Sequence, residues 1–180
     1  MLRKVFASLL IIFVAMALAS CGSTQEEELS KQTPDTTAKS VETETVHSEF
    51  TFSAYDIDGN LRSSNEWVGK QPVVLNFWGT WCPPCRKEIP DLIRIYSEFE
   101  PQGIEIIGLA VRDQPGSVSK FSFENGMNWV MLMGDASLAM RYKITGVPTT
   151  IFIDRNGNEV VRFVGPRDYE TFKKAFQAIL

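Results

Sequence analysis

Two cysteines separated by two prolines, Cys82-Pro-Pro-Cys85, carry the densest chemical potential of the 180-residue chain. Such a pair can form a reversible disulfide, supply half of a zinc site, or pack as two inert core thiols. Zinc needs four ligands, and the remaining supply is one cysteine, Cys21, and one histidine, His47, both far upstream. Redox chemistry is the reading that the surrounding residues favour. Val73, Val74, Leu75 and Phe77 form an apolar run broken only by Asn76, as in a central strand buried on both faces. After Gly79 and Thr80 the period changes: Ile89, Leu92, Ile93, Tyr96 and Phe99 recur at helical spacing, and Pro83 and Pro84 suit a first helical turn. Cys82 is therefore expected at a helix N-terminus, where free amides and the helix dipole favour a thiolate, with Cys85 one turn further on.

The elements that must position this pair read as one α/β domain. Phe50 to Tyr55 alternates like a half-buried strand, and Asp58-Gly59 turns it back towards Leu61, giving an N-terminal hairpin expected at a sheet edge. Trp67 reads as a core cap. Pro90 falls inside the cysteine-bearing helix and should bend it. Ile104 to Val111 reads as a second buried parallel strand, and the strand, helix and strand in succession imply a right-handed crossover. A helix from Pro115 to about Glu124 and a short strand, Trp129 to Met133, follow. Met127, Met131 and Met133 there read as core filling rather than a client or haem surface. Asp135 can cap a short helix, Thr149 to Asp154 and Glu159 to Val164 form a hairpin over Asn156-Gly157, and a last helix from about Asp168 buries Tyr169, Phe172, Phe176 and Ile179.

Composition, 44% hydrophobic and 22% charged, is that of a globular protein. A net charge of −4, with no basic stripe interleaved with aromatics, argues against nucleic acid as a partner. The N-terminus has its own organisation. Arg3 and Lys4 precede an apolar run from about Val5 to Ala19, shorter than the roughly 20 residues of a membrane-spanning helix, so residues 1–20 read as a signal peptide. Their removal takes two basic residues and no acidic ones, leaving 16 against 22 and a net charge of −6. Residues 22–48 are rich in Ser, Thr, Glu, Gln and Lys and cannot bury enough apolar surface to offset ordering, so they read as a flexible tether spanning about 30 Å. His47 belongs to it as a solvated residue.

Three stretches carry a resemblance. Asn76-Phe-Trp-Gly-Thr-Trp-Cys-Pro-Pro-Cys-Arg-Lys-Glu-Ile-Pro90 resembles the active-site segment of the thioredoxin superfamily, and within it the membrane-tethered TlpA/ResA-like branch. Thr145-Gly-Val-Pro-Thr-Thr-Ile-Phe-Ile-Asp154 resembles the second signature, where a cis-proline faces the disulfide. Leu18-Ala-Ser-Cys21 resembles a bacterial lipobox, with Cys21 as the lipidated mature N-terminus. The resemblance covers residues 49–180 and implies a thioredoxin-like fold: a central mixed β-sheet flanked by helices, with the N-terminal hairpin and a central helix-strand insertion. It implies catalysis by Cys82 and Cys85, substrate binding by Trp81, Val147 and Pro148, no cofactor, and an extracytoplasmic protein held by lipid to a bacterial membrane. Its clients would be protein disulfides, with apocytochrome c the one the branch suggests, and its electrons would come from a membrane-embedded donor. Plain thioredoxin places a buried aspartate where this chain has Asn76, which cannot ionise, so another group must move the proton of the resolving cysteine. Glu88 matches a glutamate of the ResA-like branch and lies three residues after Cys85; a solvated helix-surface carboxylate is the plainer reading.

Two other functions compete. Peroxiredoxins of the same broad fold resemble Pro-x-x-x-Thr-x-x-Cys, and here Leu75 and Gly79 occupy the proline and threonine offsets before Cys82. A copper carrier of related fold resembles Cys-x-x-x-Cys with a downstream histidine, which residues 49–180 lack, whereas a non-catalytic peptide-binding module remains open.

Overall fold

The computed structural model describes residues 49–180. The expected signal peptide, lipid-bearing Cys21, tether and His47 lie outside the described residues. Seven strands and four helices follow in the order β1 (Ser53–Tyr55), β2 (Leu61–Ser63), β3 (Val73–Trp78), α1 (Pro83–Phe99), β4 (Glu105–Val111), α2 (Pro115–Asn125), β5 (Val130–Gly134), α3 (Ala136–Arg141), β6 (Thr149–Ile153), β7 (Glu159–Val164) and α4 (Tyr169–Ala178). Five strands form one mixed sheet in the order β5-β4-β3-β6-β7. β3 is parallel to β4 and antiparallel to β6, so it sits at the centre with a neighbour on each side.

The unbroken apolar character of β3 follows from that position, because all six of its residues are buried. Alternation still sorts them by face. Val74 and Trp78 join a core containing Ile89, Leu92, Phe172 and Phe176 from α1 and α4. Val73, Leu75 and Phe77 join the opposite core with Phe50, Phe52, Leu138 and Tyr142. Asn76 alternates with Val74 and Trp78, so the strand's single polar side chain is directed towards α1. Phe152 of β6 lies on the same side, in ring contact with Phe163, Phe172 and Phe176. The insertion formed by α2 and β5 is present, and its methionines serve packing: Met127 and Met131 are buried and Met133 is half-buried against the core.

The N-terminal hairpin forms and lies at the sheet edge, as expected. β1 and β2 form a two-stranded sheet of their own, joined to the edge strand β5 by a single bridge between Asp56 and Leu132. The reason lies in where its backbone groups go. Phe52 N donates to Ser64 Oγ at 2.9 Å and Ser64 N donates to the Phe52 carbonyl at 2.9 Å, so the chain before β1 is tied to the turn after β2. The capping box of Ser63 and Glu66 fixes that turn. The helix α1 runs without interruption through Pro90. Among the described residues, no helix is long and apolar enough to cross a membrane.

Candidate active site

β3 delivers its C-terminal end to the loop Gly79–Trp81, and the loop delivers Cys82 to the N-cap of α1. Pro83 and Pro84 fill the first helical positions, where amide donors have no intrahelical acceptor to lose. Cys82 and Cys85 are joined as a disulfide with Cα atoms 5.3 Å apart. The Cys85 amide donates to Cys82 Sγ at 3.3 Å, the capping contact that would stabilise a thiolate there once the bond is reduced. Cys82 is 2% exposed and Cys85 fully buried, so the pair lies just beneath the surface.

The second signature reaches the same place. The Val147–Pro148 peptide is cis, and the Val147 carbonyl oxygen lies 3.7 Å from Cys82 Sγ. Beside it opens a cleft of about 360 Å³ lined by Val111, Arg112, Ala139, Met140, Ile144 and Val147, among others. Trp81 stands next to Cys82 and is 45% exposed, the only large aromatic residue adjoining the disulfide that is exposed among the described residues. Its indole donates to the Val111 carbonyl at 3.0 Å. Gly79 permits this pose, since a β-carbon there would lie 2.6 Å from the indole nitrogen. Thr80 is held likewise, its amide and hydroxyl donating to Asp113 at 2.6 and 3.0 Å. The loop before the disulfide is thus clasped by the residues that follow β4.

Glu88 is buried, not solvated, at 3% exposure. Asn76 Nδ2 donates to its Oε1 at 3.2 Å, and the Arg167 backbone amide donates to its Oε2 at 3.3 Å. Asn76 also donates to Thr150 Oγ1 at 3.0 Å, across the β3–β6 pair that sets the two residues opposite each other. Burial pushes the Glu88 carboxyl up to about 7, against the opposing pull of the Asn76 and Arg167 hydrogen bonds. Such a group can accept or release a proton near neutral pH. It sits one turn after Cys85 and reaches a crevice of about 240 Å³ lined also by Lys87, Asp91, Pro166, Arg167 and Asp168, through which protons can exchange with water.

The structure therefore brings together Trp81, Cys82, Cys85, Val147 and Pro148 on one side and sets Glu88 behind the pair on α1. Two participants escape a sequence reading: Asp113, which anchors Thr80, and Arg112, whose guanidinium lies 4.6 Å over the Trp81 ring. The signal for either is weak, because both lie in the turn that follows an ordinary buried strand. Among the described residues, no cluster of three or more His, Cys, Asp or Glu side chains is arranged to hold a metal.

Comparison with known proteins agrees with this geometry. The model of the AhpC/TSA family matches residues 29–162, more than half of the chain. Thiol-disulfide oxidoreductase ResA of Geobacillus thermodenitrificans is 31% identical over 129 residues, covering 71% of this chain and 74% of that protein. ResA of Bacillus subtilis is 36% identical over 110 residues, 61% of each chain. Among solved structures, a thiol:disulfide interchange protein of the thioredoxin family from Chlorobium tepidum superposes with a TM-score of 0.65 at 32% identity, covering 72% of this chain and 92% of that one. With a disulfide at a helix N-terminus, a facing cis-proline and relatives of this kind, the chain belongs to the thioredoxin-fold AhpC/TSA family and is a thiol-disulfide oxidoreductase of the ResA type.

Proposed function

We propose that the protein reduces selected protein disulfides outside the cytoplasm, with Cys82 as the attacking and Cys85 as the resolving cysteine. The single observation that carries the assignment of roles is the position of Cys82 at the N-cap, with the Cys85 amide directed at its sulfur. In the reduced enzyme, the Cys82 thiolate attacks one sulfur of a client disulfide, forming a mixed disulfide and releasing one client thiolate. Cys85 then loses its proton and attacks Cys82 Sγ, closing the internal disulfide and releasing the second client thiolate. Two electrons pass to the client, and both client thiolates take up protons. Glu88 accepts the Cys85 proton through the buried side of the site. The exposed Trp81 and the Val147 backbone, beside Cys82, receive the client as an extended segment.

Anchoring and compartment rest on the sequence. Residues 1–20 serve as a signal peptide, Cys21 carries lipid, and residues 22–48 tether the domain at 49–180 to a bacterial membrane. Apocytochrome c is the client that the ResA-like branch suggests, with a membrane-embedded donor returning the electrons. Radiolabelled fatty acid should follow the protein and be lost in Cys21→Ala.

The test of activity is reduction of a protein disulfide such as that of insulin by the reduced domain. The wild type should turn it over and Cys82→Ser should not. The competing peroxiredoxin-like reading of the same broad fold makes peroxide consumption the paired assay. Peroxide turnover without disulfide exchange would replace this reading with a peroxidase.

A further inference from the structure

Arg112 occupies an unusual position. It is the residue immediately after β4, its backbone is in the left-handed region at φ 52°, and it lines the cleft beside Val147. A non-glycine residue adopts that conformation at a cost, and here it reverses the chain so that the guanidinium covers the Trp81 ring at 4.6 Å. The ring is itself fixed by its bond to the Val111 carbonyl, so the cation rests on an ordered platform. No carboxylate of the described residues lies within 4 Å of this guanidinium to form an ion pair with it. The two nearest in sequence and cleft are committed elsewhere: Asp113 accepts from Thr80 and the Gln114 amide, and Asp135 accepts from the Leu138 amide as a helix cap. A planar donor group is thus held beside the disulfide with its hydrogen-bonding edge uncommitted to any carboxylate.

We infer that Arg112 is a specificity-determining residue that reads a carboxylate next to the client's cysteine. The inference rests on the proposed exchange at Cys82. Cys82 Sγ, to which a client cysteine would bond, lies 3.7 Å from the Val147 carbonyl oxygen and next in sequence to Trp81, and Arg112 stacks on the Trp81 ring and lines the same cleft as Val147. The residue flanking that cysteine falls within the reach of the guanidinium, and an Asp or Glu side chain there can accept a forked pair of hydrogen bonds from it. A Lys or Arg at the same place would meet like charge. Acidic flanks are therefore selected and basic flanks refused, by attraction and repulsion at one side chain.

The test uses two peptide disulfides with identical sequences except for the residues flanking cysteine, Glu in one and Gln in the other, with a third bearing Lys. The readout is the ratio of kcat/KM values for reduction by the lipid-free mature protein. The wild type should prefer the Glu peptide over the Gln peptide by about fivefold at low salt, with the preference shrinking as ionic strength rises. Arg112→Gln should bring the ratio close to one, and Arg112→Glu should invert it in favour of the Lys peptide. Because each ratio is internal to one variant, a general loss of activity does not imitate the result. A wild type with equal rates on all three peptides, or an unchanged ratio in Arg112→Gln, overturns the role of Arg112 alone. A wild type that reduces none of them overturns both this inference and the exchange reaction on which it rests.

Discussion

The side-chain amide of Asn76 donates to Glu88 Oε1 at 3.2 Å, joining the central strand to the helix that carries the disulfide. The amide holds Glu88 in place and, as a donor, favours its carboxylate form. Burial then sets the balance, raising the carboxyl to about 7. The combination suits Glu88, one turn from Cys85, to the proton-accepting role proposed for it.

Replacing the carboxyl should separate that role from mere packing. Glu88→Gln keeps the size of the side chain and an oxygen acceptor, yet loses the proton site. In the reduced protein the thiol titration should move to lower pH, because a carboxylate beside a thiolate disfavours the second negative charge. Resolution of the mixed disulfide should slow by on the order of 100-fold. Absorbance of the thiolate against pH, together with stopped-flow exchange, measures both. An unchanged titration would leave Glu88 a structural residue.

The same burial predicts a stability profile for the oxidised protein, whose cysteines do not titrate. The folded state holds the Glu88 proton to about 7 against an ordinary value of 4.5, so it favours the neutral acid. That contribution is complete below about pH 4.5 and is lost as pH rises to about 7, a difference on the order of 3 kcal/mol. Urea unfolding at several pH values should show the decline in the wild type and a flatter profile in Glu88→Gln.

Asn76→Asp should be costly even though an aspartate fits the space. It exchanges a donor for an acceptor at 3.2 Å from the Glu88 carboxyl, deep in the core. Two carboxyl groups there cannot both ionise without repulsion. The variant should lose about 3 kcal/mol at pH 8 and markedly less at pH 5, where one shared proton restores a hydrogen bond. Denaturant midpoints at the two pH values check this.

The sequence was informative wherever function is written into contiguous residues. The apolar strand and the cysteine pair with its prolines could be placed because each is a local pattern with a local physical reason, whereas the cis peptide at Val147-Pro148 was legible only through the family resemblance of its segment. Burial of Trp67 and the cap by Asp135 could likewise be read from local pattern. Glu88 could be named but not buried on paper, since its second partner, the Arg167 amide, is 79 residues away. The clasp of Trp81 and Thr80 by Val111, Arg112 and Asp113 joins segments about 30 residues apart and leaves no periodic trace. The hairpin and its place at the sheet edge could be read, whereas its pairing as a two-stranded sheet of its own could not, because alternation shows that a strand has a buried face, not which strand it pairs with.

The two cysteines should differ in reactivity once reduced. Cys82 heads the helix and receives the Cys85 amide, whereas Cys85 is enclosed within the first turns. Brief alkylation near neutral pH, read by peptide mass spectrometry, should modify Cys82 at least tenfold faster. Cys85→Ser should accumulate mixed disulfides at Cys82. Faster labelling of Cys85 would reverse the two roles.

Electron transfer to client disulfides is tested most directly by the reduction potential of the Cys82–Cys85 couple, measured by equilibration with glutathione. A buried carboxyl beside the pair opposes the thiolate form and so withholds the stabilisation that makes a dithiol a strong oxidant when oxidised. The expected value lies nearer the thioredoxin figure of about −270 mV than the oxidant figure of about −120 mV. A value close to −120 mV would contradict the reductase assignment and make the protein a donor of disulfides instead.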